Sequence, residues 1–299
     1  MIGEAVAMLH GTQNRDGGWP SSHGRASSTE CTSLATLALA RLDAGERAAA
    51  DRGVRWLVAC QNADGSWPLH RETGTPSWTT ALATLTIASI TDEPSCAGRG
   101  ARWLLRQQPR TPGMLASLVY RVAPQARVVQ LDPELRGWPW TSGVSSFVEP
   151  TAYALLALKR LRPRLSGAEV GARIDEAERM IYDRMCRDGG WNYGNSAVLG
   201  ADLWPYADVT ALTLLSLADH RGRRENERSL AALRRMLTQV DSGLALSWAA
   251  LCLSAYGQDV APLLRRLHLS WTRTHFLADT RSIALAVLAA TDGARAVAP

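Results

Sequence analysis

The sequence predicts an all-α fold, an (α/α)6 barrel or toroid built from six helical hairpins. Three observations carry this. Six runs rich in Ala and Leu, nearly free of charge, recur along the 299 residues. Six segments with a polar face alternate with them. An eight-residue phrase is written twice, QNRDGGWP at Gln13–Pro20 and QNADGSWP at Gln61–Pro68. A helix that is apolar nearly all round is a buried one, and a helix with one apolar stripe is an outer one.

Taken in order, Ile2–Gln13 reads as an outer helix and leads into the first phrase. Glu30–Leu42 is the first buried run. Arg47–Gln61 has an apolar stripe and a charged face, and the second phrase follows it. Ser77–Ile90 is buried and Cys96–Gln108 is outer. Residues 109–146 form an irregular insertion rich in Pro, Gly and Arg, within which 113–122 reads as an extra short helix. Buried Glu149–Leu161, outer Gly167–Met185 and buried Asp208–His220 come next. Outer Glu225–Gln239, buried Ser247–Gly257, outer Asp259–His268 and buried Asp279–Ala290 complete the alternation.

An open array of hairpins needs polar capping repeats at both ends. The last run is as apolar as the internal ones and needs cover. Closure onto the first hairpin supplies it. No stretch reads as a flexible linker, so residues 1–299 are expected to form one domain.

The repeated phrase reads as a clamp. Gly65 suits a turn that needs positive φ, and Asp64 can accept from nearby amides. Gln61 can satisfy groups freed at a helix end. Trp67 then lays its ring between hairpins, with its indole N–H in search of an acceptor. A shortened copy, RDGGW, lies at Arg187–Trp191, and a fragment, RGW, at Arg136–Trp138. These copies explain part of the unusual content of 11 Trp against 2 Phe.

Net charge is +5 and mean hydropathy −0.11. The basic groups are short and interrupted by acids, so no nucleic-acid partner is expected. Five cysteines sit at irregular intervals without a CxxC pair, which fits buried free thiols in a reducing compartment. Neither a signal peptide nor a spanning run is legible, and cytoplasm is the expected location.

The two Gln-x-x-Asp-Gly-x-Trp stretches, with the runs EPTAYALLAL and DVTALTLL, resemble the QW repeats and inner helices of triterpene cyclases of the squalene-hopene type. Related rings occur in protein prenyltransferase β subunits. The resemblance implies a toroid with a large central cavity for isoprenoid chains. In class II cyclases an Asp-x-Asp-Asp-Thr-Ala motif supplies the acid. The stretch YADVTA at Tyr206–Ala211 is similar to it, with Asp208 in the middle position and Tyr206 and Val209 replacing the other two acids. Such cyclases also dock on one membrane leaflet. No apolar patch for this is legible, so peripheral membrane contact rests on the resemblance alone. The prenyltransferases use a zinc site, and Cys31 with His23, His70 or His275 would be its only material here. No metal and no cofactor are expected.

Aligning the six buried runs by their starts places Glu30, Ser77, Glu149, Asp208, Ser247 and Asp279 in one register, at one end of the barrel. Acids and serines there can simply cap helices. They can also act on a ligand. Asp208, Glu149, Glu30 and Asp279 are the candidate catalytic acids, with Asp208 first among them. Trp78, Tyr153, Tyr206, Trp248 and Arg281 are the candidate pocket residues. The expected function is a terpene-cyclase-like protein acting on or binding an isoprenoid or other lipid-like molecule, as a monomer or homodimer. A non-catalytic binding module, a glycosidase with paired carboxylates and a zinc-dependent prenyltransferase-like protein remain alternatives.

Overall fold

The computed structural model describes residues 1–91, 94–111, 131–165, 167–291 and 293–299. The expected short helix at 113–122 lies outside them. Six inner helices come from the apolar runs: α2 (Thr29–Leu39), α4 (Thr79–Ile90), α6 (Val148–Leu161), α8 (Ala207–Ser216), α10 (Gly243–Ala255) and α12 (Thr280–Ala290). Each packs on the next in this order, and α12 packs on α2, so the ring closes. Six outer helices surround it: α1 (Ile2–Thr12), α3 (Ala44–Cys60), α5 (Pro94–Arg106), α7 (Ala168–Asp183), α9 (Arg224–Leu237) and α11 (Ala261–Thr274). Each of α3 to α11 covers the inner helix before it, while α1 covers α12. The two ends of the chain therefore make one hairpin.

Polar bonds hold this seam. Thr280 N donates to Ser21 O at 3.0 Å, and the Trp271 indole donates to Glu4 at 2.9 Å. No helix among the described residues is long and apolar enough to cross a membrane.

The repeated phrase is a clamp in detail. The indole N–H groups of Trp19, Trp67, Trp138 and Trp191 donate to Leu9 O, Leu57 O, Leu104 O and Ile181 O, at 2.7–2.9 Å. Each acceptor lies on the preceding outer helix. The backbone N–H of each Trp donates to a threonine of the following inner helix: Thr32, Thr80, Thr151 and Thr210, at 2.8–2.9 Å. Gln13 and Gln61 reach sideways as well, donating to Ala49 O and Cys96 O of the next outer helix at 3.0 Å. One phrase thus ties three helices. Gly65 takes φ 95°, as its turn requires. Gly53 and Gly100 serve the same joint: a Cβ at either would strike the clamp Trp and a threonine, Thr36 or Thr84.

Several boundaries differ from the sequence reading by a few residues, notably at α10 and α11. α10 begins at Gly243 rather than Ser247, because Leu244–Leu246 continue the buried face. α11 runs on to Thr274, where His275 turns left-handed (φ 45°).

The core is not an empty tube. A last short helix, α13 (Ala294–Val297), packs against α4 and α10, which stand opposite each other in the ring. Ser89 Oγ donates to Ala296 O at 2.9 Å, and Ala294, Ala296 and Val297 are buried. This stoppers the end of the barrel away from the inner-helix starts. The central cavity that the resemblance implies is therefore bounded at that end.

Candidate functional site

Burial along the inner helices points to the site. Every residue of α2 is buried except Glu30, and every residue of α8 except Asp208. In α6 only Glu149 and Arg160 escape. In α12 only Arg281 and the final Ala290 do. The exceptions in the first turns are all charged. They meet in one cavity of about 250 Å3 at the inner-helix starts, lined by Glu30, Glu149, Asp208 and Arg281 with Trp78, Trp140, Tyr153, Tyr193 and Trp248. Val209, Leu212 and Leu244 complete the wall. At about 30 Å3 per water-sized atom, this holds roughly eight such atoms.

The aromatic side of the wall is continuous. Trp78 and Tyr153 lie 5.1 Å apart, Trp78 meets Trp140 edge-on at 5.3 Å, and Tyr153 meets Trp248 at 6.0 Å. Such faces carry negative potential and attract a cation.

The charged side is unevenly partnered. Arg281 Nη1 stands 3.3 Å from Glu30 Oε1. Tyr193 O–H reaches Asp208 Oδ2 at 3.5 Å. The Glu149 carboxyl has no hydrogen-bond partner among the described residues. Burial pushes its pKa up to about 7, the charges of Asp208 and Glu30 add to this, and Arg281 opposes it. Burial also raises Glu30, against the pull of Arg281. Near neutral pH, Glu149 is therefore poised to hold or release a proton.

Of the candidate acids, Asp208, Glu149 and Glu30 face this cavity, while Asp279 does not line it. Its carboxylate accepts from Ser282 N at 2.9 Å and Ser282 Oγ at 2.6 Å, which caps α12. Of the candidate pocket residues, Trp78, Tyr153, Trp248 and Arg281 line the cavity. Tyr206 stands outside it, half-exposed, with its ring 5.5 Å from Tyr193. Ser77 bonds Thr79 at 2.7 Å and Ser247 bonds Gly243 O at 2.7 Å, so neither faces a ligand.

Sequence reasoning missed Trp140 and Tyr193. Both come from loops. The doubled Trp of GWPW was the available signal for Trp140, whose carbonyl accepts from Trp78 N at 3.0 Å. Also missed was a small hairpin, β1 (Ala197–Val198) and β2 (Ala201–Asp202), that rises between Tyr193 and Tyr206 and exposes Leu199, Leu203 and Trp204.

Cys31 is buried, and burial pushes its thiol up to about 12. Among the described residues, the only grouping of three or more metal-type ligands is Glu178, Asp219 and His220. Neither Cys31 nor His23, His70 or His275 belongs to it. Lys159 fills that grouping, with Nζ 2.7 Å from Glu178 and 2.6 Å from Asp219.

The closed ring of six inner and six outer helices is an α/α toroid, a fold shared with terpene cyclases and with enzymes that act on sugars. Residues 1–76 match the family model described as the squalene-hopene cyclase C-terminal domain. The fold is similar over 99% of this chain and 97% of the other to the type II terpene cyclase MstE from Scytonema (TM-score 0.61, 15% identity). It is similar as well to an α-amylase from Clostridium perfringens, over 98% of both chains (0.65, 11%). A cellobiose 2-epimerase from Bacillus thermoamylovorans matches over 92% of this chain and 87% of its own (0.59, 10%). At these identities the likeness is one of fold. No curated protein matches the sequence.

Proposed function

We propose that the mouth cavity takes the reacting end of an isoprenoid, and that Glu149 protonates it. One observation carries this reading: an unpartnered carboxyl, titrating near neutrality, faces Trp78, Tyr153 and Trp248. A proton passed from Glu149 to an alkene carbon leaves a carbocation between aromatic faces and a carboxylate behind. Loss of a proton from a neighbouring carbon, to Asp208 or back to Glu149, regenerates an alkene. The sum is an isomerisation, or a cyclisation when a second alkene of the same chain attacks the cation before that proton leaves, with no external oxidant or reductant. The resemblance singles out Asp208 as the acid. Its contact with Tyr193, and the burial that raises Glu149, favour Glu149 as donor and Asp208 as its partner.

The match over residues 1–76 and the MstE fold support an isoprenoid, since one MstE structure is described as a complex with the product merosterolic acid A. A cavity of about 250 Å3 suits one end of such a chain rather than a whole long one. We take the chain to act as one unit, a monomer or homodimer. Leu199, Leu203 and Trp204 beside the mouth would be its contact with a membrane surface.

A second reading, action on a sugar, draws on the three carboxylates and on the amylase and epimerase folds. The test uses tryptophan fluorescence, because Trp78, Trp140 and Trp248 line the cavity. Farnesol or geranylgeraniol should change the emission saturably, and cellobiose or maltose should not. The reverse result would replace the first reading with the second. If a bound prenyl compound is converted, Glu149→Gln should slow conversion by about 100-fold or more. Binding without conversion would leave a carrier in place of an enzyme.

A further inference from the structure

A second cavity, of about 470 Å3, lies behind the wall of the first. Arg110, Ser145, Ser146, Phe147, Arg184 and Asn195 are on its surface, and no acidic residue is among the described ones lining it. The dividing wall is short. Val148 N donates to Tyr193 O at 2.9 Å, so segments 145–147 and 193–195 run side by side. Glu149 and Tyr193 face one cavity, while Ser146, Phe147 and Asn195 face the other.

Arg184 is anomalous there. It is only 6% exposed. Its Nη1 donates to Ser146 O at 2.6 Å, and its Nε has no partner. The neighbouring Asp183 carboxylate is turned to Asp132 N at 2.9 Å. No carboxylate among the described residues forms an ion pair with Arg184, although the charge of Asp183 acts on it. A buried cation without a direct ion pair is costly, and folded proteins tend to pair such groups closely. The cavity offers the place for a partner. Arg110 stands on the same surface, held by its backbone N–H on Val144 O at 3.0 Å. Two guanidinium groups among hydroxyl and amide side chains suit a phosphate-type oxyanion, whose geometry matches the guanidinium fork.

We propose that this cavity binds a phosphate or diphosphate group through Arg184 and Arg110. The central cavity, with Glu30, Glu149 and Asp208, would repel such a group, so the two cavities divide ligands by charge. The assignment does not depend on the isoprenoid reading, since it concerns the oxyanion alone.

Inorganic pyrophosphate titrated calorimetrically into the whole protein should bind saturably. Arg184→Gln should weaken binding by about 10- to 100-fold, the loss expected for a charge-assisted hydrogen bond. Arg110→Ala, at an exposed position that leaves the fold intact, should weaken it as well. Farnesyl diphosphate and farnesol are the companion titrants. If farnesyl diphosphate binds more tightly than pyrophosphate, and this depends on the two arginines, the oxyanion is a lipid head group. If the two bind equally, it is a free one. No pyrophosphate binding at millimolar concentration, or equal binding by wild type and Arg110→Ala, overturns the site.

Discussion

The two ends of the barrel are built by the same helices and treat charge in opposite ways. At the far end, Lys159 of α6 is nearly inaccessible, yet every contact is satisfied: Glu178, Asp219 and Ser216 O all lie within 2.6–2.8 Å. His220 adds to Glu178 at 3.0 Å, and α13 closes the opening nearby. At the mouth, Glu149 of the same helix, about 15 Å away at the rise of an α-helix, has no such partners. Three acids share one arginine there, which Glu30 occupies. A fold that can neutralise a buried charge at one end leaves one exposed to a cavity at the other. The far end reads as architecture and the mouth as chemistry.

Breaking the far end should cost the most. Lys159→Met leaves Glu178 buried without its cation, so urea denaturation at pH 7 should show a loss of about 3–5 kcal/mol. A loss below about 1 kcal/mol would mean that Lys159 does not neutralise Glu178 and Asp219 as a closed structural cluster.

The mouth should respond to pH instead. Glu149 has a folded pKa of about 7 against an ordinary value of 4.5, so the folded state holds its proton more tightly than the unfolded state. Stability from this group is complete below about pH 4.5 and is lost as pH rises through 7, by on the order of 3 kcal/mol. Subtracting the Glu149→Gln curve from the wild-type curve should isolate that slope. Above pH 7 the variant should be the more stable protein. Parallel curves from pH 4 to 8 would show that Glu149 is not held protonated.

The smallest effect belongs to the one ion pair at the mouth. Arg281→Gln should cost about 1 kcal/mol or less, because a partly exposed pair gains little. It should also move the Glu149 midpoint upward, since Arg281 is the charge that holds it down. An unchanged midpoint would place Arg281 too far from Glu149 to matter.

The helices were legible because apolar periodicity is local. The clamp was legible because Gln61, Asp64, Gly65 and Trp67 each do a recognisable thing to the backbone beside them. Glu30, Glu149 and Asp208 could be grouped from their shared position at helix starts. Asp279 belongs to the same pattern, yet it folds back on Ser282, so position alone could not tell a cap from a cavity group. Trp140 and Tyr193 come from loops without periodicity and gave little warning.

By itself, then, the amino-acid order determined the alternation of outer and inner helices, the tryptophan joints and the charge in the first turns, since each depends on residues a few positions apart. Tertiary structure decided the rest. It set α13 across one opening, gave Lys159 its acids and left Glu149 and Arg184 without an ion pair among the described residues. Those outcomes depend on what a distant segment brings within a few ångströms, and the energy of a buried charge is set by that neighbour rather than by the chain on either side.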